Sequence, residues 1–412
     1  MHESRLIGRL SGRPPMPGLS EGTRLESLTL GGAPFPVEIG EFWTAQQRQA
    51  SRLHEVAYRA CFKPQLPRFF IERLTDPGEV VYDPFSGRGT TYLEAALCGR
   101  VPWANDISPL SRILAAPRLE VPSSEEVDGR LAELPLQGRA RAELDLSMFY
   151  HPDTESQLVL LRRYLLARRE AGAEDGVDRW IRMVATNRLT GHSPGFFSVY
   201  SLPPNQAAKP QAQRRINERL KQEPPPRDVK AVIGKKSRNL MKDLSLDDRI
   251  RLKRIAAQAR YLDGDARETS ALEAGRVALV VTSPPFLDVV QYADDNWLRL
   301  WFNGLDAEAI AAKITMARTV AAWSGVMSGV FAELARLLRP GGHLVFEVGE
   351  VDRGRIRLEE AVVPLGLSAG LECGGILIHS QAFTKTANIW GVSNNARGTN
   401  TNRLVLFRKP GS

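Results

Sequence analysis

The chain has 412 residues, 43% hydrophobic and 25% charged, with a net charge of +8. That is the profile of an ordinary globular protein with room for two or three domains. No apolar run approaches the roughly 18 residues of a membrane span, and the opening MHESRLIGRLSGRPP is not a secretory signal, so a cytoplasmic protein is expected. Cys61, Cys98 and Cys373 stand singly without a CxxC, and six scattered histidines offer no ligand spacing. Neither a disulfide frame nor a metal site is expected from them.

Residues 1–40 are rich in Gly and Pro (GRPPMPGLS, LGGAPFP) and read as an arm or loose lead-in. From Phe42 to Leu74 the pattern is helical, interrupted at FKPQLP. EVVYDPFSGRGTTYLEAALCGR then reads strand, Gly-rich turn, helix, and VPWANDISP followed by SRILAAPRL repeats strand and helix. This βαβα run, which makes 41–119 one unit, predicts a mostly parallel sheet covered by helices on both faces.

Residues 120–258 break the rhythm with basic helical stretches, prolines and the irregular RLTGHSPGFFSVYSLPPNQ, and they read as an inserted domain. Over residues 151–260, which it largely contains, the chain holds 23 Lys and Arg against 12 Asp and Glu, +11 where the rest of the chain sums to −3. A surface that meets a phosphate backbone has this composition, and so does a solvated helical face. The α/β rhythm resumes over 259–412: YLDGDARE, the strand RVALVVTSPPF, a helix around NWLRLWF, the helix VMSGVFAELARLL, and strands HLVFEVGEV and NRLVLFRK.

Two turns carry chemistry. DPFSGRGTT, Asp83 to Thr91, lies between a strand and a helix, and Gly87 and Gly89 let the backbone turn tightly against a ligand. It lacks the Gly-Lys-Ser/Thr of a phosphate-cradling loop. Asp106 ends the next strand, where an acid accepts hydrogen bonds from ribose hydroxyls; capping the following helix is the alternative. The second turn, Thr282-Ser283-Pro284-Pro285-Phe286, stops an apolar strand dead. It offers a hydroxyl, a carbonyl that cannot swing away and a flat ring, groups suited to holding the exocyclic amine of an aromatic base. A rigid loop without chemistry is the alternative.

DPFSGRGTT, NDISP, GDARE and TSPPF in that order resemble the S-adenosylmethionine-dependent amino DNA methyltransferases, and FKPQLP is similar to that family's additional cofactor-side motif. Ser283-Pro284-Pro285-Phe286 resembles the cytosine-N4 branch, where Ser-Pro-Pro is usual; most adenine-N6 enzymes carry Asn or Asp there. The cofactor motif precedes the acceptor motif, the reverse of the commonest order for such enzymes, so the chain resembles a permuted member. The resemblance implies a Rossmann-like methyltransferase fold and S-adenosyl-L-methionine as cofactor. Cofactor contacts are implied for Asp83, Phe85, Gly87, Gly89 and Thr90, with the ribose on Asp106 and the adenine near Asp265, a residue whose setting also suits a helix cap.

It further implies that Ser283 and the Pro284 carbonyl hold the target amine, Pro285 stiffens the turn and Phe286 stacks on a flipped base in double-stranded DNA. Transfer is then direct; none of the three cysteines follows a proline, as cytosine-C5 chemistry requires. Arg188 and His192 of the aromatic-basic loop, with Arg214, Arg215, Lys235 and Lys236, are the DNA-binding candidates. That loop can equally pack the insert onto the core. A cognate restriction endonuclease is a partner the resemblance allows. Adenine-N6 methylation by the same mechanism and a catalytically silent DNA-binding regulator are the alternative functions.

Overall fold

The computed structural model describes residues 4–12, 23–43, 50–59, 61–203, 206–285, 292–314, 317–348, 350–351, 356–380 and 401–411. Its strands, in chain order, are β1 (Arg24–Leu30), β2 (Ala33–Gly40), β3 (Val80–Asp83), β4 (Val101–Asn105), β5 (Arg260–Leu262) and β6 (Val277–Thr282). They continue with β7 (Leu338–Val348), β8 (Glu350–Val351), β9 (Ile356–Arg357), β10 (Glu372–Ser380) and β11 (Thr401–Arg408). Nine form one sheet in the order β1-β2-β10-β11-β7-β6-β3-β4-β5, and β8 pairs with β9 apart from it.

β3 to β7 run parallel, β10 runs parallel to β2, and β11 is antiparallel to both of its neighbours. Every residue of VVYD in β3 and of VALVVT in β6 is buried. Such unbroken apolar, β-branched runs suit strands covered on both faces. One face packs Tyr82, Val280 and Phe346 against Phe331 and Leu334 of helix Val320–Leu337. The other packs Val81, Val281 and Val345 against Phe69 and Phe70 of helix Gln65–Leu74. This is the predicted α/β architecture, a mostly parallel sheet with helices on both faces. Because β4 and β6 flank β3 on opposite sides, the strand order reverses at β3/β6, where open sheets leave a crevice beyond their C-terminal ends.

The basic segment lies between β4 and β5. Its helices include Pro152–Glu170, Gly176–Arg188 and Val229–Met241, and their buried Leu161, Trp180 and Ile233 share one apolar cluster with Tyr92, Leu93 and Leu114 behind β3 and β4. Two expectations are corrected. Residues 24–40 are a hairpin, not an arm, and β2 adds to the sheet through β10. Pro34 and Pro36 fall where β2 meets only the edge strand β1, so their missing N–H groups cost no central ladder bond. Among the described residues between Phe42 and Leu74, the interrupted helical pattern is helix only over Gln65–Leu74, with the single turn Arg52–His54 before it. No helix among the described residues is long and apolar enough to cross a membrane.

Candidate active site

The loops after β3, β4, β5 and β6 converge on one cleft with about 1150 Å³ of empty space, its open mouth included. Asp83, Phe85, Gly87, Thr90, Asp106, Asp265, Ser283 and Pro285 all line it, so residues predicted from four separate motifs meet at one place. Trp323, Met327 and Val330 of helix Val320–Leu337 supply an apolar wall, and Tyr58 and Phe62 another.

Asn105 ties the loops together: its Nδ2 donates to the carbonyls of Pro84 and Gly264 at 3.2 and 2.9 Å. Asp106 accepts the Gly87 N–H at 2.8 Å and the Ser108 N–H at 2.9 Å. Burial, opposed by those bonds, pushes its carboxyl up to about 6. Asp83 sits between β3 and β6, accepting the Thr282 hydroxyl at 2.7 Å and the Phe85 N–H at 3.1 Å. Burial pushes it up to about 7. Each carboxylate has about four lone-pair sites, so both keep acceptor capacity toward the cleft.

The Gly-rich turn divides its labour. Gly87 has φ +52°, and a Cβ there would lie 3.5 Å from the Tyr58 ring on the cleft wall. Gly89, expected to line the cleft, instead faces inward: a Cβ would come within 2.5 Å of that of Ala115. Its φ of +75° starts helix Thr90–Leu97. Arg88 turns away from the cleft to donate to the Val56 carbonyl at 3.0 Å, and the fully buried Arg118 donates to the carbonyls of Leu53, at 3.1 Å, and Arg88. These arginines clamp the chain that carries Tyr58 and Phe62 to the turn.

At the acceptor turn Pro284 is buried, while Ser283 and Pro285 are half-buried and border the cleft. The Trp323 indole N–H donates to the Pro285 carbonyl at 3.0 Å, anchoring the turn to the far wall. Phe286 lies outside the described residues, as does most of GVSNNARGTNTNR. Asp265 is bidentate with Arg267, with contacts of 2.6 to 3.1 Å, which holds its carboxyl below the usual range. Sequence reasoning missed Glu347, a buried acid on β7 beside the acceptor turn, whose carboxylate accepts from Asn402 Nδ2 at 2.6 Å. Its signal was a lone acid in an otherwise apolar strand, HLVFEV.

The DNA-binding candidates scatter. Arg188 stacks 3.9 Å above the Phe196 ring and donates to Asn187 Oδ1 at 2.7 Å. Phe196 and Phe197 are buried, so this loop packs inward. His192 is half-buried beside Phe196. Lys236 is drawn in by Glu55 at 2.9 Å, and Arg214 pairs with Asp145 at 2.6 Å. Arg215 and Lys235 are exposed. Among the described residues no group of three or more His, Cys, Asp and Glu side chains is placed to hold a metal ion.

Residues 21–107 match the family model for DNA methylases of the N6/N4 type. A stretch of 77 residues is 30% identical to the Type II methyltransferase M.MjaII of Methanocaldococcus jannaschii, covering 18% of this chain and 14% of that protein. Among solved structures, TTHA0409 of Thermus thermophilus in complex with S-adenosyl-L-methionine is 26% identical over 36% of this chain and 52% of that one, TM-score 0.22. The rRNA methyltransferase aviRa of Streptomyces viridochromogenes is 13% identical over 89% and 94%, TM-score 0.35. The chain therefore spans a small part of the curated relative and about half of TTHA0409.

Proposed function

We propose that the protein transfers a methyl group from S-adenosyl-L-methionine to the exocyclic N4 amine of cytosine in double-stranded DNA, on a base flipped into the cleft. The observation that carries this reading is that Ser283 and Pro285 line, at the strand-order reversal, the same cleft as the Gly87 turn and the half-buried Asp106 carboxylate. The match of residues 21–107 to the DNA methylase model supports it. The residues fit the cofactor: Asp106 retains acceptor sites for ribose hydroxyls, Gly87 with its φ of +52° borders the cleft without a side chain, and Phe85 borders the same wall. When bound, S-adenosyl-L-methionine supplies an electrophilic methyl group on a sulfonium.

The protein's own contribution is alignment. The Ser283 oxygen accepts one amine N–H and the Pro284 carbonyl the other, which turns the nitrogen lone pair toward the methyl group. Trp323, through the Pro285 carbonyl, keeps that turn from swinging. Apolar walls exclude water. Cytosine is preferred to adenine on the resemblance of the Ser-Pro-Pro-Phe turn to the N4 branch. The test is to incubate the protein with DNA and S-adenosyl-L-methionine, digest to nucleosides and identify the product by mass spectrometry. N4-methylcytosine is expected. N6-methyladenine would keep the transfer and move the target, whereas cofactor binding without any methylated nucleoside would favour a silent DNA-binding regulator.

A further inference from the structure

Helix Pro210–Leu220, in the basic segment, is held by amides and not by an apolar face. Gln213 is its one buried residue. Gln213 Nε2 donates to the Tyr200 carbonyl at 3.0 Å, and Asn217 Nδ2 donates to the Met148 carbonyl at 2.8 Å. Gln222, just past the end, also donates to the Tyr200 carbonyl at 3.0 Å. Ile216 is half-buried and Leu220 is 46% exposed. Most helices in proteins draw their stability from packing an amphipathic face. This one is fastened along a single polar line, which leaves its opposite side to solvent.

The start of the helix is tied to the rim of the cleft. The Ala207 N–H donates to the Asp295 carbonyl at 3.1 Å, the Trp297 indole N–H donates to the Ala208 carbonyl at 3.3 Å, and Lys209 pairs with Asp294 at 2.9 Å. Arg59, next in chain to the cleft-lining Tyr58, donates to Asp295 and Gln206 at 2.6 and 3.1 Å. From there the helix runs about 16 Å. Its side away from Gln213, at about 3.6 residues per turn, carries Gln211, Arg215, Glu218 and Arg219, all exposed. They form two lines. Arg215 and Arg219, four apart, make a cationic line; Gln211 and Glu218, seven apart, make a line of hydrogen-bonding groups without positive charge. Arg214, on the flank, is already held by Asp145 at 2.6 Å.

We propose that helix Pro210–Leu220 is the element that reads the DNA sequence, entering the major groove beside the flipped base with Gln211 and Glu218 on base edges and Arg215 and Arg219 on the phosphates of one strand. This rests on the functional reading above. The charge pattern fixes the seating. From Lys209 to Lys221 the chain holds five cations and the single acid Glu218, the balance that a phosphate backbone attracts. A carboxylate turned to that backbone would be repelled, so the Glu218 line faces the groove floor and the arginine line faces the strand. The major groove is wide enough for a helix, and on its floor the cytosine amine donates to a carboxylate while adenine N6 and N7 match a glutamine amide. The arginines then supply affinity common to all sequences, and Gln211 and Glu218 supply discrimination.

The test uses the full chain with S-adenosyl-L-methionine and a library of random-sequence DNA duplexes, the methylated sites being mapped by sequencing. The wild type is expected to require a defined motif. Gln211→Ala and Glu218→Ala are each expected to relax that motif at one base pair, lowering the preference there about tenfold or more. Both side chains are exposed and the Gln213 and Asn217 anchors stay in place, so melting temperature is expected to stay at the wild-type value. Arg215→Gln combined with Arg219→Gln is expected to weaken binding to all sequences alike and to lower the salt slope by about 2, with the motif intact. A motif that keeps all its positions when Gln211→Ala and Glu218→Ala are combined overturns the assignment. So does a wild type that methylates duplexes without sequence preference. A wild type that methylates RNA but no duplex DNA, or neither, overturns the functional reading itself.

Discussion

The strand-end cleft and the basic helical segment handle charge in opposite ways. At the cleft, the buried Asp83 and half-buried Asp106 are held by a hydroxyl and backbone N–H groups, and desolvation pushes both carboxyls up; Glu347 on β7, held by Asn402, is pushed up in the same way. In the helical segment charges meet opposite charges. Asp178, fully buried, is shared by Arg130 and Arg168; Arg182 pairs with Glu174; Arg238 pairs with Asp128 at 2.9 Å. The contrast separates two uses of a buried charge. Paired charges mark architecture, and carboxylates held by neutral donors in a cleft mark chemistry, which is where perturbed pKa values cluster. It also shows why a net charge of +11 overstates what a DNA backbone would meet: much of it is consumed between elements.

Substitutions on each side sharpen that contrast. The largest effect on turnover is expected from Ser283→Ala, which should lower kcat about 100-fold, on the scale of losing one preorganised group, with cofactor Kd unchanged by calorimetry. Equal losses in both would return Ser283 to a purely structural role. Next is Asp178→Asn, which strands two arginines at a buried site and should cost about 3–5 kcal/mol, read as a fall in melting temperature. Asp106→Asn should leave the melting temperature at or above wild type while weakening cofactor binding about tenfold, the loss of one charge-assisted bond. If both variants melt alike, the distinction between the regions fails.

A smaller effect separates the basic residues themselves. Replacing Arg215 and Lys235 by Gln should reduce the slope of log K against log salt by about 2, one per lost phosphate contact. Replacing Arg214 and Lys236 should move the slope less, because Asp145 and Glu55 already hold those cations. The last effect is in pH. Asp83 titrates at about 7 when folded and 3.8 when not, so the folded chain binds the extra proton between those values. Its contribution is present below about 4 and is lost as pH rises through about 7. Asp83→Asn should therefore gain stability relative to wild type over that range, seen as a flatter pH dependence of melting.

Much of this was legible locally. A Gly-rich turn after an apolar strand, an acid ending the next strand and Ser-Pro-Pro ending a third are short-range patterns, and each converges on the cleft. Gly89 was misread because the pattern shows that glycine is needed but not which neighbour, Ala115 or a ligand, requires it. The N-terminal hairpin was hidden by Pro34 and Pro36, which read as loop until the unpaired side of β2 is known. Lys236 and Arg188 looked available because composition does not reveal Glu55 or Phe196 beside them.

Chain-local physics thus specifies the elements, their turns and which residue types stand at strand ends, since propensity, periodicity and turn geometry act over a few residues. The fold adds what depends on distance through space. It sets Asn402 and Glu347 beside Ser283 through strand register, raises Asp83 and Asp106 by burial, and gives several arginines of the helical segment an acidic partner. Electrostatic energy depends on separation and solvent access, and neither quantity is set by neighbours in sequence.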